Sequence, residues 1–281
     1  MNTMEFTFRV GCRNMCKYCP QLLIIKQYNK LKSEAIMSFG TFKTCLDKIP
    51  KNVRIDFSGM AEPWLNENAT KMLLYTYKKG YKNISVFTTT VGMTEVDLEK
   101  IKNIPFTEFM VHLADGEGNT KIKITKEYLK LLNIIKKANI KNITYMTMGK
   151  ILPLLEKSFG KQAEEKLMLS RAGNLKFLPK ISHHGPIICN SPSGIKHNVL
   201  LPNGDVYLCC MDYGLTHKLG NLLSDDYKSL FKGKEFNDIK QRLKNEKLRD
   251  VICRHCEYAV ADNYKKYLRP IKNYFRSIFP V

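Results

Sequence analysis

Gly11-Cys12-Arg13-Asn14-Met15-Cys16-Lys17-Tyr18-Cys19 places three thiols in one short loop, directly after the β-rich run Phe6–Val10. A loop of that size can wrap one iron–sulfur cluster so that three thiolates reach three irons. The remaining iron is then open to a substrate or cofactor. A structural zinc site would want four ligands, and no fourth Cys or His follows nearby.

Outward from this loop, strand-like runs alternate with helical ones. Arg54–Ser58, Ile84–Thr88, Phe109–Leu113 and Ile143–Met148 are short and rich in β-branched and aromatic residues. Between them lie amphipathic stretches at Thr41–Ile49, Glu67–Lys79 (ending at Gly80), Val96–Asn103 (ending before Pro105) and Lys126–Ala138, capped by Thr125. A longer helical pattern covers Leu152–Leu169, and Leu175–Leu178 reads as a sixth strand. Such alternation implies parallel strands with right-handed crossovers, and six units favour a partial or closed α/β barrel over a doubly wound sheet. No glycine-rich dinucleotide fingerprint is present.

Beyond residue 180 the chain becomes turn-rich. Asn203–Gly204 between Asn198–Leu201 and Asp205–Leu208 is a strong hairpin signal, and a helical segment at Phe236–Lys244 leads to a last cysteine pair. The expected division is residues 1–180 as barrel, 181–258 as a small metal-stapled domain and 259–281 as a basic, aromatic tail.

Length and composition allow this. With 281 residues, 44% of them apolar, the chain can bury a large core, and no apolar run is long enough to span a membrane. The N-terminus carries no signal-peptide pattern, so a cytoplasmic location is expected. Disulfides rarely persist there, and nine cysteines are an odd count. Eight of them fall in three groups, at 12/16/19, at 209/210 with 189 upstream, and at 253/256. Cys45 stands alone as a small core residue. The net charge of +20 reads as lysine scattered over helix faces, and no nucleic-acid-binding signature accompanies it. Cys189, Cys209, Cys253 and Cys256 are enough thiols to close a site completely, with zinc or an iron–sulfur cluster as occupant.

The spacing Cys12-x3-Cys16-x2-Cys19, with Tyr18 before the last cysteine, resembles the signature of the radical S-adenosylmethionine superfamily, a likeness extending over roughly residues 5–258. It implies a partial (β/α)6 TIM-like barrel, a [4Fe-4S] cluster on Cys12, Cys16 and Cys19, and S-adenosylmethionine on the open iron. Reductive cleavage would give a 5′-deoxyadenosyl radical that abstracts hydrogen from substrate, with a flavodoxin- or ferredoxin-type protein as electron donor. Ser58-Gly59-Met60-Ala61-Glu62-Pro63 resembles the segment that meets the methionine amino group, which makes Ser58, Gly59 and Glu62 cofactor-binding candidates beside Tyr18. Thr88, Thr89 and His112, at carboxyl ends of strands, are candidates for ribose or substrate contacts. Gly204-x4-Cys209, Cys210, Asp212 and Leu219-Gly220-Asn221 resemble the SPASM domain and its shorter Twitch form. That implies a second, auxiliary [4Fe-4S] cluster on Cys189, Cys209, Cys253 and Cys256, with Cys210 as an alternative to Cys209. Arg171, in Ser170-Arg171-Ala172-Gly173-Asn174, resembles an arginine that faces substrate, here placed between the last barrel helix and strand.

The overall likeness is to radical dehydrogenases of amino-cyclitol biosynthesis. The expected activity is hydrogen abstraction from a sugar, cyclitol or related alcohol, oxidised with the auxiliary cluster as electron acceptor. The alternative is modification of a ribosomally made peptide, and a third reading is a non-catalytic metal protein. The tail, with Tyr264, Tyr267, Leu268, Ile271, Tyr274 and Phe275 among basic residues, suggests peripheral contact with an anionic membrane.

Overall fold

β-Branched and aromatic runs that alternate with capped amphipathic helices leave each strand only parallel neighbours, and that is what forms. The computed structural model describes residues 1–248 and 250–262, so of the tail expected at 259–281 all but its first four residues, and its expected membrane contact, lie outside the described residues. No described helix is long and apolar enough to cross a membrane.

The chain runs β1 (Thr3–Phe6), α1 (Gln21–Asn29), α2 (Phe39–Lys48), β2 (Arg54–Phe57), α3 (Ala69–Lys78), β3 (Ile84–Thr88), α4 (Glu95–Ile101), β4 (Glu108–His112), α5 (Lys126–Lys137), β5 (Ile143–Met148), α6 (Pro153–Phe159) and β6 (Ala163–Lys166). Then follow β7 (Ile187–Cys189), β8 (His197–Leu200), β9 (Asp205–Tyr207), β10 (Lys218–Asn221), α7 (Lys234–Lys244) and β11 (Ala259–Ala261). Strands β1 to β6 are parallel neighbours in sequence order, so the fold is a partial (β/α)6 barrel whose sheet ends at β6 and β10.

Local chemistry sets the helix starts. Ser38 and Thr125 cap α2 and α5 through their side-chain oxygens, and Thr94 with Asp97 forms a reciprocal capping box on α4. The core joins strand faces such as Ile55, Phe57, Val86 and Phe109 to helix faces such as Phe42, Leu46, Leu73 and Leu132. Strand residues of opposite parity therefore look into the barrel: Glu5, Asp56, Phe87, Met110, His112 and Met146.

Three expectations are corrected. The first strand is Thr3–Phe6 rather than Phe6–Val10; after Phe6 the Thr7 amide still donates to the Leu200 carbonyl, and the chain then peels away into the cysteine loop. The Leu152–Leu169 pattern holds a short helix, α6, followed by the sixth strand, β6. Leu175–Leu178 is not a strand but a turn, held by the Leu175 amide on the Ser170 carbonyl. Consequently Arg171 follows the sixth strand instead of preceding it. Ala-Glu-Glu-Lys is a polar edge segment, paired through its backbone alone, which hydrophobic periodicity does not detect.

The hairpin β8–β9 forms around Asn203–Gly204, with Gly204 at φ +83°. Its first strand pairs parallel with β1, Thr3 opposite His197 and Phe6 opposite Leu200, so the C-terminal segment continues the barrel sheet. β7 and β11 form a separate two-stranded ribbon that sets Cys189 opposite Ala259.

Candidate active site

The first cysteine loop leaves β1 at the carboxyl edge of the sheet. Cys12 and Cys16 are buried and Cys19 half-buried, and all three are free thiols. Burial pushes Cys12 up to about 11 and raises Cys16, so uncompensated thiolates are unfavourable there. The surroundings nevertheless aim donors at every sulfur. The amides of Glu62 and Asn14 face Cys12, the Tyr18 hydroxyl and the Lys121 amide face Cys16, and Gln21 Nε2 donates to Cys19 Sγ at 3.0 Å. The Tyr213 hydroxyl lies 3.1 Å from the same Cys19 sulfur. Three sulfurs in one loop, each supplied with donors, fit thiolate ligands of a metal cluster.

Gln21, at the first turn of α1, holds the loop together. Its Oε1 accepts from the Cys12 amide at 3.0 Å, and its Nε2 also donates to the Met60 carbonyl at 2.5 Å. That second bond ties the cysteine loop to Ser58–Pro63. Gly59 there has φ +65°, and a Cβ would stand 2.8 Å from the backbone of Thr7, so only glycine fits. Ser58 Oγ points to Glu5 Oε2 at 3.3 Å.

The Glu62 carboxylate is enclosed by protein donors. It accepts from Thr88 Oγ1 at 2.5 Å and from the Thr89 amide and hydroxyl at 2.6 and 2.7 Å. Asn14 Nδ2 donates to Thr89 Oγ1 at 2.9 Å, which completes a chain from the cysteine loop to the end of β3. Thr88 and Thr89 therefore have Glu62 as their immediate partner. The unit Asn14–Thr89–Glu62 sets the height of the Cys12 amide donors rather than presenting free groups to the barrel. His112, on the inner face of β4, is held down to about 4 by burial and by the positive charges of Arg171 and Lys166, so its imidazole is neutral at pH 7. Tyr18 packs with Cys16, Met146, Met148 and Leu175 on the far wall.

Arg171, Ala172 and Gly173 have φ of +54°, +56° and +75° in succession. Left-handed non-glycine residues cost about 1–2 kcal/mol each. Ser170 Oγ accepts from the Gly173 amide at 3.0 Å, and Asn174 Nδ2 donates to the Arg171 and Met211 carbonyls at 2.8 and 3.0 Å, which fixes the turn. It projects the guanidinium between the cysteine groups, with Nε on the Tyr18 carbonyl at 3.1 Å. Burial opposes its charge, but Tyr213, Cys19, Cys210 and Tyr258 around it hold the proton more firmly than usual. Arg171 so placed donates hydrogen bonds and does not take a proton.

The thiols of the second group lie near one another. Cys209 is raised by burial and by Cys253 and Cys256, and Cys253 and Cys256 both feel Cys189. The amides of Tyr258 and Ala259 face Cys256, and that of Met211 faces Cys209. These donors again suit thiolate ligands. Cys210 meets Glu5 and Arg171 and also feels Cys256. Sequence reasoning missed Gln21, Tyr213 and Glu5. A signal existed for Gln21, a polar residue opening a helix immediately after Cys19-Pro20.

Residues 189–257 match SPASM, an iron–sulfur cluster-binding domain. The fold that carries this match is shared with solved structures that bind AdoMet. Among solved structures, BtrN in complex with AdoMet and 2-DOIA matches at TM-score 0.60 and 19% identity, over 94% of each chain. The anSMEcpe protein with bound AdoMet and Kp18Cys peptide matches at 0.60 and 16%, over 99% of this chain and 97% of that one. Streptococcus suis SuiB bound to precursor peptide SuiA matches at 0.60 and 13%, over 90% and 69%. At these identities the likeness is one of fold. No curated protein sequence matches the chain.

Proposed function

We infer that the chain is a radical S-adenosylmethionine enzyme that oxidises a sugar, cyclitol or related polyol. Cys12, Cys16 and Cys19 would hold the catalytic [4Fe-4S] cluster, and Cys189, Cys209, Cys253 and Cys256 the auxiliary one. When bound, the first cluster together with S-adenosylmethionine would supply the hydrogen-atom abstractor, and the second cluster would supply an electron acceptor. The observation that carries the reading is the polar wall between the two cysteine groups. Glu5, Ser58, His112, His197 and Arg171 face the interior there, where hydroxyl and amino groups of a small substrate can be matched one by one. BtrN, whose likeness extends over 94% of both chains, was solved with the small molecule 2-DOIA.

The chain's own residues do the positioning. Arg171 donates toward the space between the cysteine groups, neutral His112 offers a hydrogen-bond partner without adding charge, and Tyr18 with Met146 and Met148 keeps one wall dry.

The test is anaerobic reconstitution, then dithionite-driven turnover against a panel of cyclitols, aminocyclitols and sugars. One ketone formed per 5′-deoxyadenosine, with Cys12→Ala silent, is the expected result. Stimulation of 5′-deoxyadenosine release by peptides alone would move the chain to the peptide-modifying alternative.

A further inference from the structure

Glu5, His197 and Cys210 belong to neither cysteine set, yet their ligand-capable atoms all lie within 4.8 Å of one another. Glu5 comes from β1, His197 from the adjoining β8, and Cys210 from the turn after β9. Glu5 is 6% exposed, while His197 and Cys210 are half-buried, so the group is not sealed from solvent. Cys209 and Cys210 are consecutive; Cys209 lies among Cys253 and Cys256, while Cys210, which also feels Cys256, hydrogen-bonds to Glu5. Glu5 Oε1 lies 2.5 Å from His197 Nε2, and the Cys210 thiol hydrogen-bonds to the same carboxylate.

We propose that Glu5, His197 and Cys210 form a mononuclear site for one divalent zinc ion, separate from both iron–sulfur sets. A thiolate, an imidazole and a carboxylate are a donor set that zinc accepts, and three protein ligands leave its fourth position open. Releasing the Cys210 proton leaves two ligand charges, from Glu5 and Cys210, to balance zinc. Supporting contacts are in place: Ser58 Oγ holds the other Glu5 oxygen at 3.3 Å, and Arg171 faces Cys210. Because β8 pairs with β1, the site exists only when the SPASM hairpin is seated on the barrel. The open position would take a substrate hydroxyl and make it more acidic, a consequence that rests on the polyol reading above.

Full-length protein reconstituted with iron and sulfide, equilibrated with zinc chloride, desalted and analysed for zinc, iron and sulfide tests the site. Wild type is expected to keep about one zinc per chain, and His197→Ala and Cys210→Ala to lose it with iron and sulfide unchanged. Zinc kept by both variants would overturn the proposal. So would loss of sulfide in Cys210→Ala, which makes Cys210 a cluster ligand, or zinc that disappears only with Cys189→Ala. Zinc-edge X-ray absorption on wild type needs no variant: one sulfur at about 2.3 Å among nitrogen and oxygen ligands is expected, and four sulfurs would refute it. Release of 5′-deoxyadenosine is followed in parallel. Release without zinc sinks the metal site and spares the activity, and zinc without release does the reverse.

Discussion

Gln21 is the residue whose loss should tell most about how the first site is built. Its side chain, 1% exposed, satisfies the Cys12 amide, the Met60 carbonyl and the Cys19 sulfur at once. Gln21→Ala leaves the first two buried without those partners. At about 1–3 kcal/mol for each unsatisfied group, the loss is about 2–6 kcal/mol. Against a domain stability of roughly 5–15 kcal/mol this is a large fraction. Gln21→Glu separates packing from hydrogen bonding. It retains the acceptor for Cys12 but sets oxygen against the Met60 carbonyl and the Cys19 thiolate, so cluster retention should suffer more than in a variant that merely loses volume. Urea unfolding under anaerobic conditions reads the first effect, and the rate of iron loss to a chelator reads the second. A Gln21→Ala protein within about 0.5 kcal/mol of wild type, together with a Gln21→Glu protein that holds iron normally, would refute the assignment of Gln21 as the tie between the two loops.

Three further outcomes follow from the same geometry. Gly59→Ala must place a Cβ 2.8 Å from the Thr7 backbone at φ +65°, and should cost about 2–4 kcal/mol in urea unfolding; a shift below 1 kcal/mol contradicts the close approach. Tyr213→Phe removes the hydroxyl 3.1 Å from Cys19 Sγ. A hydrogen bond of about 1 kcal/mol corresponds to a fall of about 40 mV in the potential of the cluster held there, readable by redox titration with EPR. Asp56 is raised to about 7 by burial, opposed by Arg54 and reinforced by Glu5. The folded state then holds a proton that the unfolded chain releases near pH 4, so stability should fall as pH rises from about 4 to 7, and Asp56→Asn should flatten that slope.

Features written locally were legible. The three-cysteine loop, the Thr125 cap and the Asn203–Gly204 hairpin each depend on a few consecutive residues, and each appears where the sequence placed it. What escaped was set by partners far away in the chain. Ala163–Lys166 becomes a strand because β5 offers it an edge, a fact its own polar residues do not state. Gln21 matters because Met60 arrives beside it, and Glu5 because β8 lies against β1 from 192 positions away. The immediate partner of Thr88 and Thr89 escaped for a related reason. A hydroxyl at a strand end looks available until the carboxylate that occupies it, Glu62, is seen.

The placement of β1 argues that the two cysteine groups are not independent. This four-residue strand has β2 on one side and β8 on the other. Through β2 it meets the Gly59 loop, because Thr7 Oγ1 accepts from the Met60 amide at 3.0 Å. Through β8 it joins the hairpin that bears Cys209 and Cys210. Tyr213 from that hairpin's outgoing turn reaches Cys19, and Arg171 lies against Tyr18, Cys19 and Cys210 together. Emptying the second group by Cys253→Ala should therefore loosen Tyr213 and Arg171 and expose Cys19. Iron loss from the first cluster would then quicken, although Cys253 touches none of its ligands. Hydrogen exchange should show this as faster opening at the Tyr18 and Cys19 amides. Unchanged exchange there, with the second cluster absent, would mean that the sheet transmits nothing and that each group folds around its own metal.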